Sequence, residues 1–89
     1  MCNLLEVDLV GGDYVVEVKV NRRPYEGFAQ AYLASKLLQK RNAFVVHLVD
    51  GVTGEFTELA EEMVNLTGIT CYVVDLNSKS LIPLKPKFR

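Results

Sequence analysis

Tryptophan is absent from this 89-residue chain, histidine occurs once, cysteine twice and proline three times. The two cysteines, Cys2 and Cys71, are too few for a disulfide framework and lack the spacing of a metal-binding cluster. Cys71 sits in an apolar run and reads as a small core residue, in keeping with the burial habit of free cysteine. No apolar run approaches the ~20 residues that a membrane-spanning helix needs. The opening MCNLLEVDLVGG lacks both the basic start and the long apolar stretch of a signal peptide. A membrane partner is therefore not expected, and the cytoplasm is the default compartment. Charge of one sign is also lacking. A formal net charge of −1 argues against indiscriminate nucleic-acid binding through bulk electrostatics. The charges are unevenly spread, however. Carboxylates gather over 6–17 and 55–62, while Arg22, Arg23, Lys40, Arg41 and the tail Lys85, Lys87 and Arg89 are basic.

What the chain does have is apolar sequence. Hydrophobic residues make up 49% of it, ample for one globular domain over 1–89. A domain this small often gains stability by pairing with a copy of itself, so a homo-oligomer is expected.

Residues 4–10 alternate, with Leu5, Val7 and Leu9 opposed to Glu6 and Asp8, the period of a half-buried strand. Gly11-Gly12-Asp13 is a tight-turn signal, since glycine supplies the positive φ of primed hairpin turns. Alternation resumes over 14–20, with Val16, Val18 and Val20 opposed to Val15, Glu17 and Lys19. Pro24 suits the first turn of a helix, and apolar residues recur at helical spacing over 25–40. Residues 43–49 form a nearly continuous apolar run interrupted by His47, the pattern of a buried central strand. Phe56, Leu59, Ala60, Met63 and Val64 predict a second amphipathic helix ending near Gly68, a natural left-handed cap. A further strand follows over 69–76, and Pro83 makes the piece over 81–84 an edge element at best. The predicted fold is α/β (α+β): a mixed β-sheet with an N-terminal β-hairpin, in the order β-β-α-β-α-β with a terminal β.

The hairpin gathers charge on one face. A turn centred on Gly12-Asp13 sets Asp8 opposite Glu17 and Glu6 opposite Lys19; one centred on Gly11-Gly12 sets Glu6 opposite Glu17. In both registers Glu6, Asp8, Glu17 and Lys19 share a face, because side chains alternate along each strand. Crowded carboxylates repel unless water or a hard divalent cation lies among them. A solvated polar face is the structural alternative.

Glu6-Val7-Asp8, the glycine turn and Glu17-Val18-Lys19 on a valine-rich strand resemble the PD-(D/E)xK phosphodiesterase superfamily, whose fold is restriction-endonuclease-like. The resemblance covers roughly the first half of the chain. It implies that Asp8 and Glu17, with the Val18 carbonyl and Glu6, would hold Mg²⁺ or Mn²⁺. Lys19 would orient the attacking water or steady the developing charge. By the same likeness, the helix over 25–40 and the strand over 43–49 stand where the family has them. Gln30 is the polar residue on that helix that would face the site, and Arg22 would help position substrate. Val7 stands where many members carry proline, and almost nothing precedes residue 4, where the family core has a helix and a strand. A second subunit would then complete the core.

Two functional expectations follow. One is a divalent-metal-dependent nuclease, or nuclease-like nucleic-acid-binding protein, acting on DNA rather than RNA. The other is a vestigial, dimeric interaction module of the same fold. Beside them, Arg22 and Arg23 read as solubilising surface or as phosphate contacts at a helix start. His47 reads as a satisfied sheet residue.

Overall fold

The computed structural model of the protein describes residues 8–87. Its elements are β1 (Leu9–Val10), β2 (Tyr14–Val20), α1 (Phe28–Leu37), β3 (Asn42–Val49), α2 (Gly54–Thr67), β4 (Thr70–Asp75) and β5 (Ser80–Leu84). The strands form a single five-stranded sheet in the order β1-β2-β3-β4-β5. It is antiparallel at both edges and parallel through β2, β3 and β4. The predicted order of elements and the mixed sheet are therefore observed, with the apolar β3 at its centre and the proline-bearing β5 at its edge.

Both crossovers step in the same direction across the sheet. With the usual right-handed connection, that places α1 and α2 on one face. Phe28 and Ala31 of α1 and Ala60 and Val64 of α2 accordingly share one core with Val45 and Cys71 of the sheet. The alanines, all fully buried, let the helix backbones approach the strands. Among the described residues the opposite face carries no helix. Its side chains form largely apolar rows across the strands: Tyr14 and Asn42; Leu9, Val16, Phe44 and Thr70; then Val18, Val46, Tyr72 and Pro83; then Val20, Leu48, Val74 and Leu81.

Three local expectations need correction. First, the hairpin turn is centred on Gly12-Asp13, with Gly11 N–H donating to Tyr14 O at 2.9 Å, yet neither Gly11 nor Gly12 has a positive φ. At Gly11 the tight feature is instead the Tyr14 ring, which lies over it and would have to swing aside for a Cβ. Second, α1 starts at Phe28 rather than at residue 25. Gly27 has φ 95°, and a Cβ on it would press on Val45 Cγ1 at 3.1 Å and Lys19 Cγ at 3.3 Å. Pro24 thus belongs to a turn closed by Glu26 N–H on Arg23 O at 3.0 Å, not to the helix. Third, the helix ends at Leu37, before the predicted residue 40, where Gln39 takes φ 56° and Lys40 N–H returns to Ser35 O. By contrast α2 is capped at both ends. Thr53 accepts the Phe56 N–H at 3.1 Å, and Gly68 at φ 75° closes on Val64 O.

Candidate functional site

Strand β2 alternates faces, and the face it turns toward the helices carries Val15, Glu17 and Lys19. Charged side chains therefore lie beneath the helix layer while Val16, Val18 and Val20 of the same strand face away from it. The structure thus differs from the solvated polar face considered as the alternative. Glu17 is only 5% exposed. Its carboxylate is 3.6 Å from the Lys19 Nζ, and the Lys19 side chain is itself largely buried. Gly27, immediately before α1, lies against both side chains near their Cγ atoms. The positive end of the α1 dipole and the Lys19 ammonium consequently favour negative charge on the same carboxylate.

Asp8 completes the arrangement from the edge of the sheet. The register Leu9 to Val16 and Val10 to Val15, continued by one residue, sets Asp8 opposite Glu17. Of the two registers the sequence leaves open, this is the one found. The Asp8 Oδ2 accepts the Val18 N–H at 2.7 Å, so a side-chain oxygen takes the place of the next backbone acceptor just beyond β1. In an antiparallel pair a residue's N–H and C=O point to the same side. The Val18 carbonyl therefore faces the Asp8 edge as well. Glu6 lies outside the described residues, as do Cys2 and Arg89.

His47 joins this neighbourhood without a sequence motif to announce it. It stands opposite Lys19 across the parallel β2–β3 pair and is fully buried. Its Nε2 lies 3.0 Å from Glu26 O. A carbonyl only accepts, so Nε2 carries the proton and Nδ1 is the bare nitrogen, with no partner among the described residues. The ring packs edge-on against Phe56 at 5.4 Å. Burial chiefly lowers its pKa below the usual histidine value, and the Lys19 charge adds to that, against the raising effect of Glu26. The signal that could have found it is the register itself, since parallel pairing of the two valine-rich runs sets Lys19 beside His47.

The predicted substrate-binding residues are less closely gathered. Arg22 is held by Glu26 at 2.8 Å, and Arg23 donates to the Tyr25 hydroxyl at 2.9 Å. Both precede Gly27 and are exposed, so they flank the approach to α1 rather than forming its first turn. Gln30 is exposed, while the sheet-facing side of α1 is made by Phe28, Ala31, Ala34 and Ser35.

Elsewhere the polar groups serve the fold. At the carboxyl ends of the parallel strands, Asn21 and Asp50 exchange two hydrogen bonds. Asp75 accepts N–H groups from Val52, Asn77 and Ser78, the Val52 bond being the chief reason its pKa is lowered. The Cys71 thiol is buried, which raises its pKa to about 12 and makes it inert. Lys87 is not frayed: it pairs with Glu61 at 3.2 Å, and its N–H reaches Asn65. A basic recess of about 220 Å³ lies beside the carboxyl end of α1, but its Lys40 and Arg41 are tied to Gly12 O and Asp13.

The fold and the site together define a small α+β protein with a charged cluster beneath its first helix. Comparison with known protein families, curated proteins and solved structures finds no match to this chain. None of its helices is long and apolar enough to cross a membrane, among the described residues.

Proposed function

We propose that the protein is a divalent-metal-dependent nuclease or a nuclease-like nucleic-acid-binding protein of restriction-endonuclease-like fold, acting on DNA in the cytoplasm. The observation that carries this reading is the Asp8 carboxylate held at 2.7 Å on the N–H of Val18, the residue between Glu17 and Lys19, whose side chains lie 3.6 Å apart. The donors available are all oxygens: two carboxylates and, on the Asp8 edge, the Val18 carbonyl. That set suits a hard cation such as Mg²⁺ or Mn²⁺ better than a thiophilic one. No group of three or more histidine, cysteine or acidic side chains gathers among the described residues, so Glu6 would be the further ligand.

The ion, when bound, would supply an activated water and polarise the phosphodiester. Lys19, 3.6 Å from Glu17, would orient the attacking water or steady the charge developing on the phosphate. Arg22 and Arg23 offer exposed cations to the nucleic-acid backbone, although Arg22 must first release Glu26. A net charge of −1 makes any such attraction local. The second reading, a vestigial site on an interaction module, is favoured by one observation, the burial of Glu17.

The test is metal binding by calorimetry with Mg²⁺ and Mn²⁺, alongside cleavage of single- and double-stranded DNA and RNA. The expected outcome is metal binding in the millimolar range or tighter. Cleavage should fall by about a hundredfold or more in Asp8→Asn and in Lys19→Met. Because Asp8 is exposed, Asp8→Asn should leave stability within about 0.5 kcal/mol. Metal binding without cleavage selects the vestigial reading, and absence of both overturns the proposal.

A further inference from the structure

We infer that the open face of the sheet is the interface of a homodimer, in which two copies pack sheet against sheet with their helix layers outermost. The face is apolar from edge to edge apart from Asn42 and Thr70 at one end, and Leu9 on one edge strand is 58% exposed and Leu81 on the other 59%. No position on this face of the five strands carries a charge. Along its middle, Phe44 stands between Tyr14 and Tyr72 with ring centroids 6.4 and 6.2 Å apart, lining a shallow apolar depression. Strands in parallel register ordinarily have both faces covered, because crossover helices occupy them. Here the parallel β2, β3 and β4 have one face covered by α1 and α2 and the other open among the described residues.

Dimensions select the occupant. Five strands about 4.8 Å apart make a face roughly 24 Å wide. One helix, about 10–12 Å across with its side chains, would cover less than half of that and leave an edge leucine in water. A second copy presents a face of the same width and the same uncharged character. With strands of up to eight residues, each copy contributes roughly 500 Å². Two copies together reach the ~1,000 Å² that marks a biological interface. Aligned sheets pack about 10 Å apart, and a two-fold axis makes the contact self-complementary and closed. The low net charge adds little repulsion between copies.

This interface does not depend on the proposed nuclease site. Glu17 and Lys19 lie on the helix-covered face, so each copy keeps its cluster on the outside of the dimer. Loss of the dimer and loss of metal binding are separable results.

Sedimentation equilibrium of the full chain, from low micromolar to near-millimolar concentration, should give twice the 10.0 kDa chain mass. Hydroxyl-radical footprinting supplies a readout that needs no variant. Within one chain Tyr14, Tyr25 and Tyr32 are similarly exposed, at 42%, 48% and 50%. In the dimer Tyr14 alone of these is covered and should react several-fold more slowly than the other two. Val46→Glu, at the centre of the face, should weaken association by about a hundredfold or more. Leu66→Glu, on exposed α2 surface, should leave it intact. A monomer throughout the range, which would assign the face to some other partner, overturns the inference. So does Tyr14 reacting as fast as Tyr25, or a folded Val46→Glu protein that remains dimeric.

Discussion

Both faces of this sheet are largely apolar, yet its charged strand residues lie on the covered one. On the helix-covered face Glu17 and His47 lie buried, and Lys19 largely so, among Val15, Val45 and Cys71. On the other, valines, leucines and aromatic rings stand half-buried or exposed with no covering layer. Burying charge costs several kcal/mol per ion even after relaxation, whereas an apolar side chain gains from leaving water. A single chain folding for stability alone would place these two sets the other way round. The proposed site and the proposed dimer account for this contrast, the first giving the charged cluster a chemical role and the second giving the apolar surface a covering layer.

The sharpest way to break that comparison is to remove one charge from the covered face. Lys19→Met leaves the Glu17 carboxylate beneath α1 without the ammonium 3.6 Å away. The expected loss is about 3 kcal/mol in urea unfolding, at the low end for a broken buried pair because the contact is long. The double variant Glu17→Gln with Lys19→Met should recover most of it. A loss below ~0.5 kcal/mol would mean that Glu17 is held by its other contacts, and that the ion pair is incidental to the fold.

Adjacent residues on β3 give the next contrast. Val45 is fully buried on the covered face and Val46 points to the open one. Val45→Ala should cost about 2 kcal/mol, from lost burial and the cavity left behind. Val46→Ala, measured at concentrations low enough to hold the chain as a monomer, should cost less than about 1 kcal/mol. Equal losses at both positions would show that the open face is as well packed as the covered one. A Val46→Ala loss that grows with protein concentration would instead sharpen the case for a covering copy.

Much of this was legible in the chain, and the limits have physical causes. Period-two alternation marks the hairpin strands, the apolar run around His47 marks a central strand, and Gly68 marks the end of α2. Alternation says that Val16 and Val18 oppose Glu17 and Lys19; it cannot say which set the helices will cover. That choice follows from the handedness of two successive crossovers, a property of the whole sheet. The hairpin register, open by one residue in the sequence, emerges only in the pairing of Leu9 with Val16 and Val10 with Val15. The start of α1 eluded periodicity because it depends on how closely Gly27 approaches Lys19 and Val45, residues remote in the chain. The charged trio Asp8, Glu17 and Lys19 was visible as a motif, whereas His47 entered only through strand pairing.

His47 offers the smallest effect and the finest distinction between the faces. Its buried ring is held in the neutral form, with Nε2 donating to Glu26 O, and its pKa lies below the ordinary value of 6.5. As pH falls, the unfolded chain therefore takes up a proton before the folded one does. The stability linked to this group is complete above about pH 6.5 and is lost below it, down to the folded pKa, with a slope of at most ~1.4 kcal/mol per pH unit. The lowered Asp75 carboxylate acts in a separate window, below its usual 3.8. His47→Leu forfeits the bond to Glu26 O and should cost about 1 kcal/mol at pH 7.5, while removing the titrating group. Unfolding curves at pH 7.5, 6 and 5 should then converge, the native protein losing its advantage as the medium acidifies. Parallel pH profiles for the two proteins would place the His47 ring in contact with water, and the covered face would lose its claim to be the dry one.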